Sequence, residues 1–409
     1  MKGIYTLEDF NVKDKTVLLR VDINCPIDRT TLKIINDSRI RRVVPTIREL
    51  MGKNAKVIIL AHQSRKGKWD FTNLEEHSER LSRHLNSPVR YVDDILGEKA
   101  RKAISETKPG TVLLLGNVRE IDNESAELDM MEHSRSETVN ILAPQIDFYV
   151  NDAFAAAHRS QCSLVGFQPR VPSASGRLMA KELYALSAIF DVPRRPSVFI
   201  LGGAKIDDAA NMVDHVLGSR IADTVILTGL AGNAFLKARG VDIGEASSAP
   251  MKDELTPDNL QKAWDVMSKY GHRILLPTDV AVERDGKRQN VLAGDMPNDV
   301  PALDIGDDSI AKFIKVIQSS KTSLMSGPAG MYEKDGFDTG TKALMEAMID
   351  SGGQSVIGGG HTVGAADKLD LTDRFSYVST GGGALETFLL GKELPVVEAL
   401  KYSFNNVKV

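Results

Sequence analysis

The chain reads as an α/β protein of two doubly wound, parallel-sheet (Rossmann-like) domains joined by a helix. Three observations predict this. Short runs rich in Val, Ile and Leu recur, most of them apolar on both faces, as in parallel strands covered by helices on each side. Amphipathic stretches of helical length lie between them, which gives repeated β-α-β units. The runs number about ten, too many for one comfortable sheet, so they divide into two.

In chain order, strands are expected at 16–21, 56–61, 111–115 and 147–150, then at 197–201, 224–228, 273–276, 322–325, 354–357 and 375–378. Asp37 and Ser38 can cap a helix that starts near Arg39. Leu74, His77, Leu81 and Leu85 form an apolar-leaning stripe at helical spacing within 73–86. Residues 257–269 and 307–318 are further helices. Gln168-Pro169-Arg170-Val171-Pro172-Ser173 makes a proline-rich exit from the first half. Residues 175–190 then read as one helix, with Leu178, Leu183, Leu186, Ala188 and Ile189 on its buried side, and the prolines at 193 and 196 stop it. The expected division is a first domain over 1–174, an interdomain helix over 175–191 and a second domain over 192–382.

Composition narrows the class. Of 409 residues, 42% are hydrophobic and 26% charged, ordinary for a globular protein and unlike a disordered one. A net charge of −4 argues against nonspecific nucleic-acid binding, which needs a basic surface. The two cysteines, Cys25 and Cys162, have no spacing pattern and point to a reducing compartment, with neither a disulfide framework nor a thiolate metal site. The N-terminus lacks a signal-peptide core, and no stretch approaches the roughly 20 apolar residues of a membrane span. A cytoplasmic location without membrane contact is expected.

In open α/β sheets the ligand lies at the carboxyl ends of the strands. In the first half those ends carry Asp22 and Asn24, then His62 and Arg65, then Arg119, then Asp152, His158 and Arg159, with Arg39 at a predicted helix start. Arginine presents a rigid fork suited to carboxylate and phosphate. A single such arginine is ordinarily a solvated surface residue, so the shared placement of several carries the reading. The histidines read as hydrogen-bonded structural residues. Asp22 and Asp152 read as carboxylates that hold arginines or loop amides in place.

In the second half, Leu201-Gly202-Gly203-Ala204-Lys205 and Gly358-Gly359-Gly360-His361-Thr362 each follow an apolar run and precede a segment that can start a helix. Such turns put free backbone N–H groups where an anion can reach them. Lys205 can reach phosphate oxygens where the glycines let the backbone approach. Ser326-Gly327-Pro328-Ala329-Gly330 is another turn of this kind, and the Glu333 carboxylate is placed to accept from ribose hydroxyls. No Walker A pattern is present. Gly358-x-Gly360-x-x-x-Gly364 is a loose dinucleotide fingerprint, but the acidic residue that should end the next strand is missing. Taken together, a polyphosphate-binding half and an arginine-rich half point to phosphoryl transfer between a nucleotide and an acidic small molecule.

Arg20-Val21-Asp22-Ile23-Asn24-Cys25-Pro26, Asn151-Asp152-Ala153-Phe154 with Ala157-His158-Arg159, the 201–205 run, Gly327-Pro328, Gly340-Thr341-Lys342-Ala343-Leu344, Gly358-Gly359-Gly360 and Val378-Ser379-Thr380-Gly381-Gly382-Gly383-Ala384 resemble the phosphoglycerate kinase family, in its order and at its spacing. The resemblance runs from about residue 15 to about residue 400, and the short connections and the Ala-His-Gln-Ser-Arg loop look closest to archaeal members. It implies reversible transfer of the acyl phosphate of 1,3-bisphosphoglycerate to ADP, giving 3-phosphoglycerate and ATP, with Mg²⁺ carried as MgATP or MgADP. By similarity Asp22, Asn24, Arg39, His62, Arg65, Arg119 and Arg159 bind the phosphoglycerate. By similarity Gly203, Ala204, Lys205, Pro328, Gly330, Glu333, Gly360, His361 and Thr362 belong to the nucleotide site. Thr380-Gly381-Gly382 resembles part of the family's hinge, and residues 383–409 are expected to pack back on the first domain. A monomer or a homodimer is expected.

The chemistry fits that inventory. The nucleophile of the reverse reaction is a carboxylate, already ionised at pH 7, so no general base is needed. The enzyme must supply alignment and charge stabilisation. Arg39 and Lys205 are the expected catalytic charges, helped by helix N-terminal amides near Ala204 and Gly360. Several positions depart from the family's pattern: Ala209 replaces a second lysine, Ser326 an asparagine and Glu120 a phenylalanine, and His361 stands where a metal-linked aspartate is usual. How the metal is held therefore stays open. Two rival readings also stay open, another small-carboxylate kinase and a non-catalytic nucleotide-binding protein.

Overall fold

The computed structural model describes residues 3–203 and 205–408. Two compact units emerge, Met1–Tyr184 with Glu393–Val409, and Ala185–Lys392. In the first unit, β1 (Thr16–Val21), β2 (Lys56–Ala61), β3 (Val89–Tyr91), β4 (Val112–Asn117), β5 (Phe148–Asp152) and β6 (Ser173–Ser175) form one sheet in the order β3-β4-β2-β1-β5-β6. Every pairing in it is parallel. The pleat explains the doubly apolar strands: Val17, Leu19 and Val21 of β1 enter one core with Val57 and Ile59 of β2, while Leu18, Ile58 and Leu60 enter the core on the other face. The helix Ser38–Gly52 covers the first face with Ile40, Val43, Val44, Ile47 and Leu50, one stripe at helical period.

The second unit repeats the plan. Strands β7 (Ser197–Leu201), β8 (Thr224–Leu227), β9 (Ile274–Leu275), β13 (Thr322–Ser326), β14 (Gln354–Gly358) and β15 (Tyr377–Val378) form a parallel sheet in the order β15-β14-β13-β7-β8-β9. Between β9 and β13 the chain inserts a separate antiparallel sheet, with β10 (Asp279–Arg284) between β11 (Lys287–Leu292) and β12 (Ala302–Ile305). In each large sheet the chain starts in the middle, winds to one side, then returns to the other. The winding reverses between β1 and β5 in the first unit and between β7 and β13 in the second. Those reversals open crevices at the strands' carboxyl ends.

The ten expected strands are present, with ends displaced by no more than two residues. Five further strands (β3, β6, β10, β11 and β12) were not expected. Asp37 precedes the helix Ser38–Gly52 as expected, but its side chain does not cap it. The carboxylate instead accepts a hydrogen bond from His84 Nε2 at 2.7 Å and pairs with Arg41 at 3.2 Å. The helix expected from 175 begins at Arg177. Residues 173–175 pair with β5 instead, and the cap comes from β5: buried Asp152 accepts from Thr46 Oγ1 at 2.6 Å and from the Met179 N–H at 2.9 Å. Gly176 leaves room for that carboxylate, which a Cβ would approach to 2.4 Å. Burial pushes the Asp152 carboxyl up to about 6 despite these donors. The last helix, Pro395–Asn406, packs on the first unit, where Ser403 Oγ accepts from the Ser173 N–H at 3.0 Å.

Candidate active site

The crevice of the first unit gathers the seven residues expected to face phosphoglycerate. Asp22 follows β1, is 8% exposed and pairs with Arg39 Nη1 at 2.9 Å. The Asn24 N–H donates to Asp22 Oδ1 at 3.1 Å, and Asn24 Oδ1 accepts from the Ser64 N–H at 2.9 Å, which ties the loop after β1 to the loop after β2. Burial opposes ionisation of Asp22, but the Arg39 and Arg20 guanidiniums and the Asn24 amide help outweigh it, and the carboxyl is held at about 2. His62 is buried and receives a hydrogen bond from Arg20 Nη2 at 3.2 Å on Nδ1. Burial and the surrounding arginines keep this imidazole neutral well below its ordinary range. A neutral ring among arginines is a hydrogen-bond donor rather than a titrating base.

Arg65, Arg119 and Arg159 line one hollow of about 380 Å³. Arg119 Nη1 donates to the Ser64 carbonyl at 2.5 Å, and Arg159 Nε donates to His158 Nε2 at 3.3 Å. Burial, together with Arg159, Arg20 and Arg65, lowers the Arg119 pKa to about 10. Three mutually repelling guanidiniums on three loops form a site that an anion would stabilise.

Sequence reasoning passed over Arg20, which lies inside β1. Only 1% exposed, it donates through Nε to Ser163 Oγ at 2.8 Å, and Ser163 Oγ in turn donates to buried Glu124 at 2.5 Å. The signal was present in the sequence as one arginine within an apolar strand.

The stability of this crevice depends on pH in a defined window. The Asp22 folded-state pKa lies below its ordinary value of 3.8, so its contribution is complete above that value and is lost as pH falls toward about 2. Urea unfolding of the parent and of Asp22→Asn between pH 5 and pH 2.5 is expected to show a stability gap that narrows as pH falls. A gap that stays constant across that range would refute this account.

In the second unit, loops after β7, β13 and β14 meet at one cavity of about 540 Å³. The Gly202 N–H donates to the Ser326 carbonyl at 2.9 Å. A Cβ on Gly202 would lie 2.4 Å from the Pro328 carbonyl oxygen, and one on Gly327, at φ +96°, would lie 2.5 Å from the Gly202 carbonyl carbon. Only glycines permit this approach. A Cβ on Gly203 or Gly360 would meet nothing within 4 Å, so both leave open space beside the backbone. The helices Ile206–Gly218 and Gly360–Lys368 start at these loops and present N-terminal amides.

Gly203, Pro328, Gly330, Glu333, Gly360, His361 and Thr362 all line the cavity. Thr362 is buried, and its Oγ1 accepts from the Gly327 N–H at 2.7 Å, so the hydroxyl joins two loops. Glu333 and His361 stand 3.8 Å apart and exposed. Lys205 occupies the N-cap position of the helix Ile206–Gly218, is 72% exposed and lies 3.8 Å from Asp208. Ala204 lies outside the described residues. The rest of the wall was not foreseen: Leu230 and Asn233 come from the helix Gly229–Ala238, and Val280, Ala302, Leu303 and Asp304 from the antiparallel sheet. Glu386 also lines the cavity, and its carboxyl is raised by burial and by Asp208, against Lys205. Among the described residues no group of three or more His, Cys, Asp or Glu is placed to hold a metal ion. Among the described residues no helix is long and apolar enough to cross a membrane.

The family model described as Phosphoglycerate kinase matches residues 7–392. The chain is 43% identical over 396 residues to the phosphoglycerate kinase of Methanobacterium bryantii, covering 97% of each. It is 44% identical over 398 residues to that of Methanothermobacter thermautotrophicus, again covering 97% of each. The crystal structure of the phosphoglycerate kinase from Pyrococcus horikoshii OT3 superposes with a TM-score of 0.90 at 38% identity, covering 98% of this chain and 100% of that one. The enzyme from Coxiella burnetii gives 0.83 at 32% identity, with 97% and 98% covered. Sequence and fold agree over almost the full length, and the chain belongs to the phosphoglycerate kinase family.

Proposed function

We propose that the arginine-rich crevice of the first unit binds phosphoglycerate and that the glycine-lined cavity of the second binds the nucleotide. The reaction is the family's reversible phosphoryl transfer, in glycolysis and gluconeogenesis, between 1,3-bisphosphoglycerate with ADP and 3-phosphoglycerate with ATP. One observation carries the assignment most directly. Arg65, Arg119 and Arg159 converge on one hollow, and among the described residues none of them forms an ion pair with a carboxylate. Such a cluster fits the phosphate of a phosphoglycerate, while Arg39, neutral His62 and the Asn24 side chain suit its carboxylate and hydroxyl.

In the direction of acyl-phosphate formation, a carboxylate oxygen of 3-phosphoglycerate forms the new bond to the γ-phosphorus. The bond from that phosphorus to the β,γ-bridging oxygen breaks, and ADP leaves with the electron pair. No proton moves at the reacting atoms. Arg39 and Lys205 supply positive charge to the equatorial oxygens, together with the amides that begin the helices Ile206–Gly218 and Gly360–Lys368. Lys205 is free to do so: among the described residues its one ion-pair partner, Asp208, is at 3.8 Å, and the side chain is mostly exposed.

Mg²⁺ fits this site as an ion carried by the nucleotide. Burial and, after it, the charge of Asp208 raise the Glu386 carboxyl against the pull of Lys205, and a cation there would offset both effects. Magnesium typically takes one or two carboxylates with phosphates and water, so it needs no larger acidic cluster than the described residues provide. When bound, the ion would neutralise charge on the phosphate oxygens.

The test is nucleotide-dependent turnover. Purified protein with ATP and Mg²⁺ is expected to consume ATP only when 3-phosphoglycerate is present, with the acyl phosphate followed by coupled reduction and NADH oxidation. ADP binding without turnover would favour a different acceptor acid or a non-catalytic binder.

A further inference from the structure

Behind the crevice of the first unit lies a buried chain of polar groups drawn from separate segments. Glu124 comes from the loop after β4, Ser163 from the short helix Cys162–Val165 and Arg20 from β1. Glu124 and Ser163 are fully buried, and neither lines the hollow of Arg65, Arg119 and Arg159. One Glu124 oxygen accepts from the Ser163 N–H at 2.9 Å, and the other accepts from Ser163 Oγ at 2.5 Å. A hydroxyl has a single proton, so once it is given to Glu124 the oxygen can only accept. It accepts from Arg20 Nε at 2.8 Å. The guanidinium, which has donors alone, turns Nη1 to the Val21 carbonyl and Nη2 to His62 Nδ1 at 3.2 Å. His62 Nδ1 is therefore an acceptor, and the proton of the neutral ring sits on Nε2. Burial raises the Glu124 carboxyl, while Arg20 and the two Ser163 donors pull it down.

We propose that Glu124 and Ser163 are positioning residues which, acting through Arg20, fix the His62 tautomer so that its Nε2–H faces the carboxylate of phosphoglycerate. This rests on the phosphoglycerate crevice proposed above. The direction of every link follows from the Glu124 carboxylate, because both of its oxygens accept. An N–H aimed at a carboxylate makes a charge-assisted hydrogen bond, whereas the other tautomer would aim a lone pair at it and repel it. Removing the Ser163 hydroxyl leaves Arg20 Nε without its acceptor and releases the guanidinium that holds the ring. Glu124→Gln acts on the same link. Its amide N–H₂ donates toward Ser163, so the hydroxyl is no longer compelled to accept from Arg20.

The test joins ring-nitrogen NMR to kinetics on the full chain. With histidine labelled in ¹⁵N, the His62 signals are assigned by their loss in His62→Gln. At neutral pH the parent is expected to show His62 protonated on Nε2 alone, and Ser163→Ala and Glu124→Gln to show a mixture of tautomers. Ser163→Ala is expected to raise the KM for 3-phosphoglycerate roughly tenfold and to leave the KM for ATP unchanged. Ser163→Thr keeps the hydroxyl and is expected to recover most of that loss. In a His62→Gln background, Ser163→Ala is expected to add little, because the group through which it acts is gone. Thermal melts establish that the variants fold. A parent ring protonated on Nδ1 would overturn the proposal whether or not the variants fold. Equal loss from Ser163→Ala with and without His62 would mark Ser163 as structural and overturn it too. A parent with the expected tautomer that fails to bind 3-phosphoglycerate would instead overturn the functional reading.

Discussion

Arg39→Ala is expected to lower kcat by roughly 10³-fold or more, the range over which an arginine acting on a transferring phosphoryl group contributes. The KM for 3-phosphoglycerate is expected to rise far less, because Arg65, Arg119 and Arg159 remain to hold the phosphate. The fold is expected to survive. Arg39 is 39% exposed, so its ion pair with Asp22 is partly screened and contributes about 1 kcal/mol or less. Asp22 also keeps the Asn24 amide at 3.1 Å and the field of Arg20. Arg39→Lys restores the charge without the planar fork and is expected to recover only part of kcat. Steady-state kinetics with a thermal melt decide the matter. Near-parental kcat in a folded Arg39→Ala protein would remove Arg39 from the mechanism, and a collapse in melting temperature would turn the loss into a structural one.

Residues legible in the sequence were those whose role is set locally. Strands such as β1, β2 and β7 are apolar on consecutive positions because both faces are covered, and that pattern needs no tertiary knowledge. The arginines that follow such runs could be placed at strand ends for the same reason. β3 and β6 are only three residues long, and Ser173-Ala174-Ser175 carries no β-branched or aromatic residue, so pairing with β5 decides its conformation. The antiparallel sheet was hidden differently: Lys287–Leu292 is largely exposed and charged and reads as a loop. With that sheet hidden, so was the wall of Val280, Ala302 and Leu303 around the nucleotide cavity. Asp37 was misread because capping is a local rule, while His84 reaches it from 47 residues away.

Gly202→Ala is expected to weaken nucleotide binding while sparing the phosphoglycerate crevice. The new methyl would sit 2.4 Å from the Pro328 carbonyl oxygen and 2.9 Å from that of Gly327. Both are backbone atoms, so no side-chain rotation relieves the clash. The partner loop is equally constrained, since Gly327 has φ +96° and its amide is held by Thr362 Oγ1 at 2.7 Å. The loops after β7 and β13 must therefore separate, and they are the loops that frame the cavity. Overpacking of this kind costs about 1–3 kcal/mol, which corresponds to a rise in the Kd for ADP of roughly 5- to 150-fold if it falls on the binding geometry. Gly203→Ala supplies the contrast. Its methyl would meet nothing within 4 Å, so stability should change little, and any loss of affinity would come from the space the methyl takes from the ligand. Calorimetric titrations of both variants with ADP and with 3-phosphoglycerate separate the cases. The expected pattern is weakened ADP binding and a lowered melting temperature for Gly202→Ala, an unshifted melting temperature for Gly203→Ala, and parental 3-phosphoglycerate binding for both. Parental ADP binding by Gly202→Ala would show that the two loops can part without disturbing the site. The close approach of Gly202 and Gly327 would then be a packing detail with no bearing on nucleotide affinity.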